Sequence, residues 1–241
     1  MKTKTWVSYL AICLVVLPLT ANAADKNDEV LLAEKPADSV VTGSEWTLIR
    51  QDAFRNIKTY AKHEDGRKIR SFKIDMIVDA PYETVAKVHF DIDNFKKWYW
   101  STSESKLLKK VSDTDYYYYQ VYRTPIKPDR DVIVHVKVEP YTPAKGYLSL
   151  NLEAVPEYMP TQRYYVRMLA HNMSIKMTPI DGNKKTRLEV SGYLDPGGAS
   201  PEWVMGFYQR KSPYLTMLGL ARMVLLPEYA TDTPTPFKYK E

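Results

Sequence analysis

Two stretches of the chain alternate apolar and polar residues with a period of two. Val132, Val134, Val136 and Val138 fall on one face, Ile133, His135, Lys137 and Glu139 on the other. Leu148, Leu150, Leu152 and Ala154 oppose Ser149, Asn151 and Glu153 in the same way. That period belongs to antiparallel strands with one dry and one wet face. Similar runs predict strands at 104–111, 115–123, 131–139, 146–155, 163–177 and 185–194. Upstream, runs 54–63 and 68–79 flank Glu64-Asp65-Gly66-Arg67, a hairpin signature, with Phe72, Ile74, Met76 and Val78 marking a buried face. Ser44 as a cap predicts a short helix to Gln51 that buries Trp46 and Ile49.

Helical patterns sit at two places. Pro81 opens a helix running to about Phe90, with Val85 and Val88 inward, and 91–100 reads as a second short turn ending in aromatics. The longer pattern follows Asp195-Pro196-Gly197-Gly198, a forced turn. Ser200 and Pro201 read as N-cap and first helical residue, with Glu202 in the first turn. From Trp203 to Val224 the only charges are Arg210, Lys211 and Arg222, so a broad apolar surface needs a cover. Gly206, Pro213 and Gly219 lie inside it and predict a weak or kinked helix. Replacing both glycines by alanine is expected to stabilise the fold and to slow any exchange that the helix gates. A one-sided meander before the helix supplies the cover, which predicts an α+β fold: a curved antiparallel sheet wrapped around a long C-terminal helix.

Composition changes the picture mainly at the ends. Lys2 and Lys4, the apolar run from Trp6 to Leu19 and Ala21-Asn22-Ala23 read together as a cleaved secretory signal peptide, residues 1–23. The expected location is the periplasm of a Gram-negative bacterium. The single cysteine, Cys13, lies within that segment. Residues 24–43 are polar and aperiodic and read as a disordered leader, 44–227 as one domain, and 228–241 as a flexible tail marked by Pro234 and Pro236. Without Lys2 and Lys4, the 34 basic residues fall to 32 against 29 acidic ones. So mild and dispersed an excess argues against nucleic-acid binding. The 19 tyrosines suggest surfaces with one greasy and one wet side.

The order of elements resembles the START (steroidogenic acute regulatory protein-related lipid transfer) domain, a helix-grip fold. Four segments carry the resemblance. Ala80-Pro81-Tyr82-Glu83-Thr84-Val85 is similar to the family's approach to its second helix, and Asp91 through Trp98 to its aspartate-to-tryptophan stretch. Asp129-Arg130-Asp131-Val132 is similar to the step that opens its sixth strand, and Asp195-Pro196-Gly197-Gly198 with Pro201 and Trp203 to the start of its last helix. The resemblance implies a hydrophobic cavity between sheet and C-terminal helix that holds one lipid-like molecule. In some members an acidic and a basic residue line that cavity. Glu104 falls at the first position but Val136 at the second, so the pattern departs there and a more apolar pocket follows. Arg167 resembles an arginine of the eighth strand, a structural anchor more than a ligand group.

The candidate cavity residues are therefore Glu104, Tyr118, Val134, Val136, Leu150, Arg167 and Val190 from the sheet. Trp203, Phe207, Leu215 and Leu218 join them from the helix, which would act as a lid, with Gly206, Pro213 and Gly219 letting it move. Tyr116 to Tyr119 place two tyrosines on each face of one strand, and one pair could offer hydroxyls to a ligand. Lys106-Leu107-Leu108-Lys109-Lys110 reads as a basic sheet edge that discourages pairing with other chains, or as a site of attraction to anionic membranes. His63, His89, His135 and His171 show no metal-ligand spacing, and neither a phosphate loop nor a nucleophile elbow occurs. No metal, cofactor or catalytic residue is expected.

The first functional reading is a monomeric lipid-binding and transfer protein that touches membranes transiently. The second is a cyclase-like helix-grip enzyme acting on a hydrophobic or aromatic substrate, with Glu104 and a tyrosine of the 116–119 run as acid and base. A ligand sensor that presents its bound state to another protein is a third.

Overall fold

The computed structural model describes residues 45–64, 69–125, 127–199, 201–230 and 237–239, without the side chains of Glu202, Trp203, Val204, Phe207 and Tyr208. The signal peptide and leader expected at the start of the chain lie outside these residues, as does the tip of the hairpin at Asp65-Gly66-Arg67.

One ten-stranded sheet dominates. Its strands are β1 (Thr47–Asp52), β2 (Ile57–Lys62), β3 (Ser71–Val78), β4 (Thr102–Ser112), β5 (Asp115–Tyr122), β6 (Asp129–Glu139), β7 (Leu148–Ala154), β8 (Tyr165–Arg167), β9 (Ala170–Ile180) and β10 (Lys185–Asp195). They run in the order β1-β2-β3-β10-β9-β7-β6-β5-β4, with β8 against β6. Between β3 and β4 come helix α1 (Tyr82–Phe90) and a 3-10 turn (Ile92–Lys97), and helix α2 (Glu202–Met223) follows β10. The sheet presents its valine and leucine face to these helices. Val132, Val134, Val136, Val138, Leu148 and Leu150 are all buried there.

The structure departs from the sequence pattern in four places. The segment expected as a first helix is strand β1, paired antiparallel with β2. Eight residues are too few for a stable isolated helix, and Thr47, Leu48 and Ile49 suit a strand with a partner at hand. The run 163–177 is two strands. Arg167 of β8 is drawn to Asp131 of β6, the Met168 amide donates to the Asp131 carbonyl, and β9 starts only at Ala170. The outer face of the sheet is also less wet than alternation suggests. Tyr119, Val121 and Ile133 are buried there, with Val155 and Met159 from the β7–β8 connection and Tyr165 of β8 packed on them. Finally, the segment after Pro227 is not wholly loose. Tyr229 and Phe237 are buried, Tyr229 donates to Asp91 at 2.6 Å, and Phe237 packs on Phe90 of α1.

β4 and β1 end the sheet, so the lysines of 106–110 do lie on an edge strand. Lysines there make pairing with a second sheet costly.

A cavity under the C-terminal helix

A cavity of about 160 Å³ lies between the sheet's inner face and α2. Its floor comes from alternate residues of the central strands: Tyr116, Tyr118 and Tyr122 of β5, Val136 of β6, Leu150 and Leu152 of β7, and Val190 of β10. One wall is the aromatic turn after α1, where Phe95, Trp98, Tyr99 and Trp100 follow one another within six residues. The other is a stripe of α2, Met205, Gln209, Ser212, Pro213, Thr216 and Met217. Spacings of three and four put these six on one side of the helix.

Of the sheet residues expected in the cavity, Tyr118, Val136, Leu150 and Val190 line it together. Val134 is fully buried in the core beside it but is not among the lining residues. Glu104 is exposed on edge strand β4, away from the cavity. Arg167 is buried elsewhere. Its Nε and Nη2 donate to the two oxygens of Asp131 at 3.1 and 2.9 Å, and Nη1 and Nη2 reach the carbonyls of Pro156, Met159 and Pro160. A guanidinium so fully occupied has little left to offer a ligand. On the helix, Leu215 and Leu218 pack half-buried against the core on a side away from the cavity-lining stripe. The Trp203 and Phe207 side chains lie outside the described residues.

Several lining residues escaped the sequence reading. The aromatic turn was visible as a run ending in Trp98-Tyr99-Trp100, and its density of rings was the available signal. His89, Arg130 and Met173 carried none, because each depends on which strands and helices meet.

Polar atoms in this cavity are few and specifically placed. Neither the Tyr118 hydroxyl nor the Trp98 indole N–H has a hydrogen-bond partner among the described residues. Both rings pack against Phe95, at 5.6 and 5.4 Å. Burial drives the Tyr118 phenol far above its usual range, so it stays a neutral O–H. The Tyr122 hydroxyl meets His171 Nε2 at 3.0 Å, and the Tyr99 hydroxyl faces the Met173 sulfur at 3.9 Å. His89 donates from Nδ1 to the Val85 carbonyl, and burial lowers its pKa to about 4, so it is neutral at pH 7. Among the described residues no carboxylate lines the cavity, and no three His, Cys, Asp or Glu side chains form a metal-binding group.

The helix over the cavity is held mainly through its second half. Tyr214 donates to Asp52 at 2.8 Å, and the Arg50 guanidinium sits 3.8 Å over the Tyr214 ring. Gly219 lies against the Trp98 backbone so closely that a Cβ there would collide with the Trp98 carbonyl. Gly206 has room, since an added Cβ would meet only the Arg210 side chain at 3.5 Å.

A long sheet gripping one C-terminal helix has counterparts among solved structures. A STAR-related lipid transfer protein from Xanthomonas axonopodis superposes with a TM-score of 0.67 at 26% identity, covering 74% of this chain and 98% of that one. The fold is that of the START domains. Human STARD10 shares the START fold at a TM-score of 0.66 and 21% identity, over 86% of this chain and 82% of that one. Human StAR-related lipid transfer protein 5 does so at 0.64 and 17%, over 83% and 92%. A scan against protein-family models and a search of curated proteins by sequence return no match.

Proposed function

We propose that this chain binds a lipid-like molecule between its sheet and α2 and carries it between membranes. The observation that carries the reading is the cavity itself, walled by Tyr116, Tyr118, Val136, Leu150 and the rings of 95–100. A core left open forgoes packing energy, at a cost that grows with the volume left empty. A bound apolar chain restores those contacts, while the Tyr118 hydroxyl and Trp98 N–H await an acceptor oxygen on it. The START domains named as lipid transfer proteins support the same reading.

A carrier answers a definite need. At about 0.8 kcal/mol per buried CH₂, a lipid of about 30 methylenes resists crossing water by roughly 24 kcal/mol. The chain has to enclose the molecule and open at a membrane surface. The moving part of the lid in this reading is the half of α2 before Pro213, since Tyr214 and Gly219 fix the half after it. Pro213 has no N–H for the Gln209 carbonyl, which weakens the helix at that point. The signal-peptide pattern of residues 1–23 supports action outside the cytoplasm, in a periplasm where lipids cross between two membranes.

The cyclase-like reading loses its acid, because Glu104 stands exposed on β4. Transfer of fluorescent phospholipid and fatty acid between donor and acceptor vesicles tests the carrier reading. The full mature chain is expected to accelerate transfer of at least one class well above the spontaneous rate. No acceleration of either would contradict it.

A further inference from the structure

Two neutral hydrogen-bond donors in the cavity wall await an acceptor. The Tyr118 hydroxyl and the Trp98 indole N–H have no partner among the described residues, and the two residues are only 1% and 4% exposed. Both line the cavity. A buried donor left unmet costs the desolvation that a partner would have offset. Other polar groups around the cavity are provided for. The His89 ring meets the Val85 carbonyl, the Tyr122 hydroxyl meets His171, and the Tyr99 hydroxyl faces the Met173 sulfur. Arg130 has an acceptor of its own, since its Nη1 donates to the Pro128 carbonyl.

Two elements bring these donors to one place. Tyr118 comes from the middle of β5, opposite Val134 of β6, and Trp98 closes the 3-10 turn after α1. Both rings stand edge-on to Phe95, with planes at 84° and 80° to it. The His89 ring backs Trp98 at 5.5 Å. Rings packed this way hold their donors in fixed positions. Neither group carries charge. An indole N–H only donates, and burial keeps the Tyr118 phenol protonated. The Arg130 charge is remote from them. Arg130 pairs with Tyr122, four residues along β5 from Tyr118, a separation of about 13 Å at the rise of a strand.

Building on the lipid reading above, we infer that the cargo carries an uncharged carbonyl group, an ester or a ketone, which Tyr118 and Trp98 hold at the aromatic wall. A carbonyl oxygen has two lone pairs and no hydrogen, so it can accept from both donors and leave nothing of its own unmet. A plain hydrocarbon leaves both donors orphaned. A hydroxyl brings a hydrogen that needs an acceptor in turn. A carboxylate brings a full charge to neutral donors alone, at a desolvation cost that they do not cover.

Isotope-edited infrared spectra of 2-tridecanone and methyl laurate, bound to the delipidated full mature chain, test this. The carbonyl band of at least one is expected below its position in hexadecane, and Tyr118→Phe should return it toward that position. A shift of the ester alone would name an acyl ester, and a shift of the ketone alone a ketone. Affinities come from displacement of N-phenyl-1-naphthylamine. Relative to tridecane, the shifted ligand should lose about fivefold in Tyr118→Phe, the worth of one hydrogen bond. Tyr117→Phe, whose ring stacks on His135 across the sheet's other face, should leave that ratio unchanged. Without ligand, Tyr118→Phe should raise the unfolding temperature, because an unmet hydroxyl is gone. Bands at their hexadecane positions in the unaltered chain overturn the inference, whatever the variants do. So does a shift that survives in both Tyr118→Phe and Trp98→Phe, a ligand-free Tyr118→Phe that is destabilised, or laurate at pH 8 losing as much as the carbonyl ligands. Tridecane or laurate displacing the probe, with both bands unshifted, would leave the lipid reading standing. Failure of all four compounds to displace it would remove both.

Discussion

At the scale of single residues, the clearest case is a buried ion pair. Arg167 and Asp131 form a closed pair, bidentate and hidden from solvent, that ties β8 to β6. Arg167→Met should cost about 3–5 kcal/mol by stranding the Asp131 carboxylate, without altering which lipids bind. Urea unfolding together with probe displacement would check both halves; a change in lipid preference would put Arg167 back in the cavity. Two histidines make a second residue-scale prediction. His89 and His171 are fully enclosed, and desolvation lowers both pKa values to about 4 from the usual 6.5. The unfolded chain therefore takes up protons that the folded one refuses between those values. Stability is complete above about pH 6.5 and falls as the pH drops toward 4, by up to about 3 kcal/mol per histidine. Urea midpoints measured from pH 7.5 to 4.5 should fall accordingly, and a flat profile would mean that one or both rings reach water.

At the scale of elements, legibility followed how one-sided each pattern was. Strands β6 and β7 alternate cleanly, and parity alone puts Val136 and Leu150 on the cavity side. Helix α2 is apolar around most of its circumference, so its pattern has no phase. Bulk then pointed to Leu215 and Leu218, whereas the cavity is lined by the slimmer Gln209, Ser212, Pro213 and Thr216. The glycines divide for a similar reason. Gly219 exists for the close approach of α2 to Trp98, not for mobility, so the double alanine replacement expected to stabilise the helix should fail. Gly219→Ala is expected to cost about 1–3 kcal/mol by overpacking, while Gly206→Ala should be neutral or slightly stabilising. Thermal unfolding of the two single variants separates these effects, and a stabilised Gly219→Ala would show that the contact relaxes freely. Pro213→Ala should restore the helical hydrogen bond and slow lipid exchange between vesicles, because the first half of α2 loses its pivot. Unchanged exchange would make α2 ordinary core.

At the scale of the whole molecule, the START fold was within reach of the sequence because turns, parity and the order of elements agreed, whereas the pairing of β3 with β10 was not. Nor was the cavity's chemistry. Arg130 sits within a motif that reads as the opening of β6, and nothing local says that its side chain meets Trp98, Met173 and α2 across one space. Such convergence depends on strands far apart in the chain, as when Leu188 and Val190 of β10 pair with Met76 and Ile74 of β3. The same holds for the docking of Phe237 on α1, which a proline-marked tail gave no reason to expect. The most direct test of the lipid reading is native mass spectrometry of the full chain purified from its own compartment. A single added mass per chain, released by organic solvent and identified as a lipid, is the expected result. A chain that emerges at its bare mass, and stays bare after incubation with vesicles, would contradict it.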